Sequence, residues 1–391
     1  MITLETADSA LKTIYLGVIG NQLNVSANPL LTKIKQTSNN IYGNEIRKMT
    51  SYGISGGVSA GSESGELPES FAKKREHFVA TLKNLYGTIE ITDKAIRCSQ
   101  NSAGAFVNLL NDEMESLIKS STFNLGRMLY GDGSGILATI PETTSLDEEY
   151  IKVDTVKNLV TNLGCRFVNT SGTDYTTDEP FTISHVDRAN NKFSFSRLVE
   201  KDHKNKKIAT LTGLNNEITG LGKIFDAEAT ELYGVRKAYN PWMNPYTKSD
   251  VGEINEMAIQ TAIDEIQEES GSEVDFIACS AKVRRAYQEA MSAYKRNVDV
   301  MNLEGGFKAI SYNGIPVVTD RFVEDDAMYI LSTKDFELCQ LCDWQWLEGN
   351  DGKIIKQKEG YPVYTATLVK YAELLCNRPS LQVKSLILVP F

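Results

Sequence analysis

The chain has 391 residues, a formal net charge of −10 and a sequence pI of about 5.1. With 41% hydrophobic and 24% charged residues it is a folding, globular sequence, long enough for two domains with cores of their own. The acid excess excludes a surface that coats nucleic acid wholesale, because such binding needs a surplus of cations to displace counterions.

Residues 1–40 mix short apolar patches with Asn, Ser and Thr. Leu11, Ile14, Tyr15 and Val18 share one face of a short helix; Asn28-Pro29 breaks the pattern, and Leu30, Leu31 and Ile34 begin another amphipathic turn. The segment reads equally as an arm laid over another body and as a frayed terminus. Residues 41–97 hold an outgoing strand-like run, 41–50, and a returning run, 77–92. Between them lies a small-residue tip whose Gly53, Gly56, Gly57, Gly61 and Gly65 give it play. A lone hairpin is marginal in water and its open edges invite pairing. Such an arm is expected to rest on a neighbour, which points to assembly before catalysis.

Residues 102–129 predict a long helix. Phe106, Leu110, Met114, Leu117, Ile118, Leu125 and Met128 recur at helical spacing, with Asn111, Asp112, Glu115 and Lys119 elsewhere on the wheel. Asn101 or Ser102 can cap it, and the glycines of 131–135 end it. Its length of about 40 Å suits a spine for other elements. Residues 150–225 turn to strands at 165–169, 181–186, 192–197 and 207–211. From 250 the pattern alternates: a helix from Ile254 to Ile266, a strand at 274–279 and a helix at 281–294. Strands at 307–318, 327–331, 354–358, 364–376 and 381–389 complete it. The class is α+β. The sequence has no internal repeat and no flexible interdomain linker.

Chemical motifs are sparse. Neither glycine-rich stretch has the strand-then-helix context of a phosphate loop or dinucleotide fingerprint. The three histidines, His77, His185 and His203, lack metal spacing. His185 and Asp187 alternate on one strand face without a visible nucleophile. Cys339 and Cys342 form a C-x-x-C with apolar flanks and no second half, which reads as packed core thiols. With Cys98, Cys165, Cys279 and Cys376 they are expected reduced, in a chain made in the cytosol, where the sequons at Asn24 and Asn169 mean nothing. Glu5 and Asp8 precede any apolar run, so no signal peptide is read, and no stretch is long enough to span a bilayer. No catalytic residue, metal or cofactor is therefore expected. Lys73, Lys74 and Arg75 form a basic cluster at the base of the arm, either meeting an acidic patch on a neighbour or a plain solvated turn.

The order of these parts resembles the major capsid proteins of tailed double-stranded DNA bacteriophages, those with the Hong Kong-97-like fold. The resemblance covers nearly the whole chain. It rests on Tyr130-Gly131-Asp132-Gly133-Ser134-Gly135 directly after the spine helix, on Ile218-Thr219-Gly220-Leu221-Gly222-Lys223-Ile224-Phe225, and on Tyr233-Gly234-Val235-Arg236-Lys237 leading into Asn240-Pro241-Trp242-Met243-Asn244-Pro245. Tyr312-Asn313-Gly314-Ile315-Pro316-Val317-Val318 and the late run from Ala366 to Cys376 complete it.

The resemblance implies an N-terminal arm over 1–40 and an extended loop over 41–97. It implies a peripheral domain over 98–239, joined by late strands, and an axial domain with returning C-terminal strands over 240–391. It implies a structural subunit that self-assembles through pentamers and hexamers into an icosahedral head, assembled in the host cytoplasm and ending in the virion. Its partners would be copies of itself, a scaffolding protein, a portal protein and packaged double-stranded DNA contacted without sequence specificity, with no membrane. A long N-terminal scaffolding segment is not seen, so a separate scaffold or a trimmed chain is expected. An acidic lining would keep DNA from sticking. Ile54, Val58 and Phe71 would be buried only in the assembly, with Lys73, Lys74 and Arg75 beside them, and the five tip glycines would let the loop shift. No lysine, asparagine and glutamate trio for covalent linkage can be matched. The alternatives are an encapsulin-type nanocompartment shell of the same fold and, more distantly, a cytosolic α+β enzyme.

Overall fold

The computed structural model describes residues 23, 28–53, 56–99, 103–142, 150–196, 203–249, 251–270, 273–293, 300–303 and 308–387. The proposed helix around Leu11 to Val18, the caps Asn101 and Ser102, and Ile54 lie outside the described residues.

The strands, in chain order, begin with β1 (Lys35–Thr37), β2 (Ile41–Tyr42), β3 (Glu45–Tyr52), β4 (Lys74–Thr81) and β5 (Lys83–Thr92). The spine helix, Ala103–Tyr130, follows, and then β6 (Ile136–Thr139), β7 (Ile151–Lys152), β8 (Gly164–Val168), β9 (Phe181–Asp187), β10 (Lys192–Phe195) and β11 (Lys207–Thr210). A small hairpin, β12 (Glu231–Leu232) and β13 (Val235–Arg236), leads into two short 3-10 turns, Lys237–Tyr239 and Pro241–Met243. The last third holds β14 (Tyr246–Lys248), helix Glu256–Ser270, β15 (Phe276–Cys279), helix Ala281–Ala293, β16 (Val300–Asn302), β17 (Lys308–Tyr312), β18 (Ile315–Thr319) and β19 (Ala327–Leu331). It closes with β20 (Phe336–Trp346), β21 (Lys356–Gln357), β22 (Val363–Cys376) and β23 (Val383–Leu386).

The spine helix forms as its apolar spacing predicts. Met114, Leu117, Leu125 and Leu129 are buried, while Asp112, Glu115 and Lys119 face solvent. It packs on a sheet ordered β1-β20-β22-β21, with β5 also paired to β22 along ten residues, Lys83↔Ala372 to Thr92↔Val363. The approach is so close that a Cβ on Gly87 would stand 2.7 Å from Leu117 Cδ1. The motif after β11 explains itself at the other end of the helix. There Gly220 lies against the terminal carbonyls of Met128, Leu129 and Gly131, where any side chain would collide.

A seven-stranded sheet, ordered β14-β23-β19-β15-β18-β17-β16, is buried on both faces. Phe276 and Ala278 of β15 join the core around the spine helix, while Ile277 and Cys279 face helices Glu256–Ser270 and Ala281–Ala293. Burial on both sides is why β15 and β19 read as continuous apolar runs. A six-stranded sheet, β6-β11-β8-β9-β10-β7, holds a separate core of Leu137, Ile151, Phe167, Phe181, Ile183 and Phe193. No described helix is long and apolar enough to cross a membrane.

Several expectations change. The strand expected over 307–318 is a hairpin of β17 and β18, turning at Asn313 and Gly314, which both take positive φ. The returning run over 77–92 is two strands: β4 pairs with β3 in the hairpin, whereas β5 belongs to the main sheet. The break falls at Leu82, which is buried and donates its N–H to Asn44 O at 2.9 Å. Strand 354–358 shrinks to β21. The C-x-x-C lies inside β20, where the register shifts between Gln340 and Cys342. Cys339 is buried and its thiol is pushed up to about 11 by burial, but the bulge leaves Cys342 half-buried, so only one is a core thiol.

Residues 28–37 are anchored in the body. Asn28 is buried, caps the turn at Pro29–Lys33 by accepting from Leu30 N, and donates Nδ2 to Asp320 Oδ2 at 2.6 Å. Leu30, Leu31 and Ile34 join the main core, and β1 pairs in parallel with β20. That portion is neither frayed nor dependent on a neighbour.

Candidate assembly surface

Strands β3 and β4 pair in register from Glu45↔Thr81 to Tyr52↔Lys74, so alternate side chains split into two faces. Ile46, Thr50 and Phe78 are buried on the inner face. Phe78 lies between Tyr233, at 5.4 Å between ring centroids, and Trp242, at 5.9 Å. Lys48 reaches down to Glu337 at 2.7 Å, with both side chains mostly shielded. The stem therefore rests on its own body, against the expectation that the whole arm lacks an internal seat.

The seat is built by the hairpin β12–β13. Its turn places Tyr233 at φ 53°, in the left-handed region, beside Gly234 at φ 78°. A tyrosine holds that conformation at a cost unless its surroundings fix it. Here the phenol donates to Leu374 O at 3.0 Å and accepts from Cys376 N at 3.2 Å, while Tyr233 O accepts from Val79 N at 2.9 Å. One residue thus ties β22 to β4. Burial holds its hydroxyl well above the ordinary tyrosine range, so it stays a neutral donor.

The outer face of the stem is open. Arg47, Met49, Ser51, Arg75, His77 and Val79 are exposed. Beyond Tyr52 the chain runs out as a finger, and its described residues are nearly all exposed, with Val58 at 87%, Leu67 at 90% and Phe71 at 59%. The two limbs of the finger run close together: a Cβ on Gly57 would stand 2.9 Å from Glu69 O, and one on Gly56 3.4 Å from Phe71 Cδ2. Gly53 takes φ 74° where the stem ends. Gly61 has open space around it, and Gly65 closes a turn by donating to Ser62 O at 3.1 Å.

Lys73, Lys74 and Arg75 are exposed where the finger returns to the stem, and none forms an ion pair with a described residue. Sequence reasoning overlooked Leu67, a lone apolar residue in a polar run, and the outward pair Met49 and Val79. A second apolar surface lies on the main sheet, on the face away from the spine helix, where Tyr86 and Leu347 are exposed. A chain that leaves this much apolar surface on a projecting finger and a sheet face has the character of an interaction surface.

Chemistry is thin by contrast. A cavity of about 470 Å³ lies between β5, the spine helix and residues 210–217, and no histidine or cysteine lines it. Glu217 at its wall is taken by a two-pronged ion pair with Arg127, at 2.5 and 2.7 Å. His185 sits exposed on its strand, edge-on to Tyr150, and the buried His203 stacks on Phe167 at 4.1 Å. Among the described residues no cluster of His, Cys, Asp and Glu has the arrangement of a metal site.

No protein-family model matches the chain, and no curated protein matches it. Solved structures do. A chain of the cyanophage A-1(L) capsid asymmetric unit superposes with a TM-score of 0.57 at 10% identity, covering 94% of both chains. The chain has the phage capsid fold. The capsid of an empty GTA particle follows at a TM-score of 0.48 and 10% identity, over 93% of this chain and 89% of that one. An encapsulin complex from Synechococcus elongatus stands at 0.42 and 8%, over 91% and 86%.

Proposed function

We propose that the chain is a structural shell subunit, the major capsid protein of a tailed double-stranded DNA phage, assembling through pentamers and hexamers. One observation carries this reading: a capsid fold that spans nearly the whole chain also extends a finger on which Val58 and Leu67 are almost fully exposed. In a closed lattice the same finger would lie on the next copy, burying Val58, Phe71 and Leu67, with Ile54 nearby. Lys73, Lys74 and Arg75 would set its approach through charge. The stem would stay fixed by Trp242 and Tyr233 while the glycines let the tip adjust between five- and six-membered rings. Individually weak contacts suffice because each subunit makes many at once.

In this reading 1–40 is the arm, 41–97 the extended loop, 98–239 together with late strands the peripheral domain, and 240–391 the axial domain and the returning C-terminal strands. Scaffold, portal and packaged DNA are its partners, and the virion is its destination. Negative-stain microscopy of the purified chain, alone and with a co-expressed scaffold, tests it. Shells, capsomers or sheets are expected. A chain that stays a small monodisperse particle under both conditions would overturn the reading. Particles that enclose an enzyme in place of DNA would identify the nanocompartment instead.

A further inference from the structure

Residues 136–214 have the anatomy of a module set into the chain. Their six strands, β6 to β11, pair only with one another among the described residues. The sheet nearly closes on itself. Just past β7, Asp154 N donates to Thr139 O at 3.0 Å and Asp154 Oδ1 accepts from Thr139 N at 2.8 Å, which joins the two edge strands. The core inside, around Phe167, Phe181 and Phe193, shares no residue with the main core. The chain leaves and re-enters the body at one place, where Asn215 N donates to Ser134 O at 2.8 Å. Gly133 and Gly135 take φ of 81° and 76° there, and a Cβ on Gly135 would collide with Gly213 O.

Module and body are poorly packed against each other. The cavity of about 470 Å³ lies where two domains would otherwise meet, with Leu163 and Leu211 on the module side and Leu117, Ser120 and Asn124 of the spine helix on the other. Leu211 at its lip is 43% exposed. A settled interface would have filled such a space, since protein interiors are close-packed. Away from the pivot, the described hydrogen bonds and ion pairs between the two gather at one joint. Lys157 of the module donates to Val323 O at 2.8 Å and pairs with Asp325, which also holds Lys282. Arg321 of the body directs Nη2 to Lys157 O at 3.5 Å, and its guanidinium lies 4.9 Å from the centre of the Phe123 ring. Phe123 sits roughly a quarter turn round the spine helix from the residues that wall the cavity. Joint and cavity therefore flank the same helix.

We propose that residues 136–214 are a hinged module that swings about the Ser134–Asn215 pivot to close the cavity, and that the Lys157–Asp325 joint is the latch that holds it open. The open form keeps the polar contacts of the joint. The closed form gives them up and buries Leu163 and Leu211 against the wall at Leu117. Ion pairs and hydrogen bonds at a half-exposed site are worth about as much as covering two partly exposed leucines, so neither form wins by a wide margin. That balance, together with a self-contained core on one side and a two-strand pivot on the other, is what a rigid-body switch requires. The device belongs to the single chain and does not depend on whether that chain builds a shell.

Pulsed electron resonance on the unassembled full chain tests it. Spin labels go on Thr88→Cys, at the body wall of the cavity, and on Thr161→Cys, beside Leu163, with Cys98 and Cys342 replaced by serine. The parent should show one dominant distance. Removing the latch with K157A/R321A should raise a second, shorter population about ten-fold above its level in the parent. D325N breaks the same ion pairs while keeping the side-chain shape, and it covers the case in which the double variant fails to fold. Adding L211D should abolish the shorter population, because closure would then bury a carboxylate against Leu117. A latch-released chain that keeps the parent's single distance overturns the hinge. So does a broadened distribution with no shorter peak, which would mean a loosened module rather than a swinging one. A shorter peak that survives L211D overturns it too, since the motion would then not close this cavity. None of these outcomes bears on shell formation, so a failed hinge leaves the capsid reading standing.

Discussion

Trp242 stacks on Tyr52 with ring centroids 4.6 Å apart and planes 20° from parallel. The indole comes from a 3-10 turn nearly two hundred residues further along the chain, and the phenol is the last residue of β3. The same indole also packs on Phe78 of β4, so one side chain holds both strands of the hairpin to the body. Trp242→Ala should cost about 2 kcal/mol, roughly half the cost of removing a fully buried Trp, because this one is half-buried. Trp242→Phe should recover most of it. Hydrogen exchange should show the loss confined to the amides of β3 and β4. Uniform loss of protection across the chain would mean that the turn supports the main core instead.

The finger beyond the stem is dispensable for the subunit on this view. Its limbs already touch at Gly57 and Glu69, so removing residues 58–68 joins ends that lie side by side. The shortened chain should unfold within about 0.5 kcal/mol of the parent, as expected where nothing buried is lost. It should also fail to form shells, as scored by microscopy. Intact shells from this deletion would show that assembly does not depend on the finger.

Phe71→Asp probes the same surface with one atom group. Phe71 is more than half exposed, so denaturant melts of the free subunit should move by no more than about 0.5 kcal/mol. The critical concentration for assembly should rise several-fold, because a carboxylate would enter an apolar seat made by a neighbour. A large loss of subunit stability would place Phe71 in the chain's own core.

Sequence patterns were most legible where one physical rule acts alone. The strand over 327–331 matches β19 to the residue, since burial on both faces writes an unbroken apolar run. The spine helix was legible to within a residue at each end, because its stripe and the glycines after it agree. Strand β20 was not legible: Phe336, Leu338, Trp344 and Trp346 keep one parity, but the register slips twice, between Gln340 and Cys342 and between Cys342 and Gln345, and the alternation breaks over Cys339 to Cys342. A period-two reading fails across such a slip. Nor could the split at Leu82 be seen, because β4 and β5 carry the same β signal and differ only in their partners. For the candidate surface, the exposed glycine-rich finger followed from composition. The seat of the stem did not, as Trp242 and Tyr233 meet it only through the fold.

Arg127 and Glu217 join the spine helix to the loop before Gly220, and both side chains are at least 96% buried. Two charges leave water here, and their attraction is offset by the cost of desolvation. Removing one partner strands the other. Arg127→Met alone should therefore cost about 3–5 kcal/mol. Replacing both, with Glu217→Leu added, should cost far less than the two single changes together. A double-mutant cycle in denaturant reads this coupling directly. Additive losses would mean that the pair acts through packing rather than charge.

Glu373 on β22 is buried, and burial pushes its carboxyl up to about 7, against the pull of hydrogen bonds from Thr219 N at 2.6 Å and Leu374 N at 2.9 Å and of the Lys83 charge. The ordinary value is 4.5, so between about 4.5 and 7 the folded chain holds a proton that the unfolded chain has released. Stability from this group is then fully present below the lower value and is lost as pH rises through the upper one. The loss over that window is about 3 kcal/mol, from the shift between the two values. Glutamine can accept the same two N–H groups without carrying charge. Glu373→Gln should therefore match the parent near pH 4.5 and exceed it by up to about 3 kcal/mol at pH 8. Chemical denaturation at both pH values measures the difference. Parallel stability curves for parent and variant would show that the carboxyl titrates at its ordinary value in the folded chain, the N–H groups of Thr219 and Leu374 offsetting its burial.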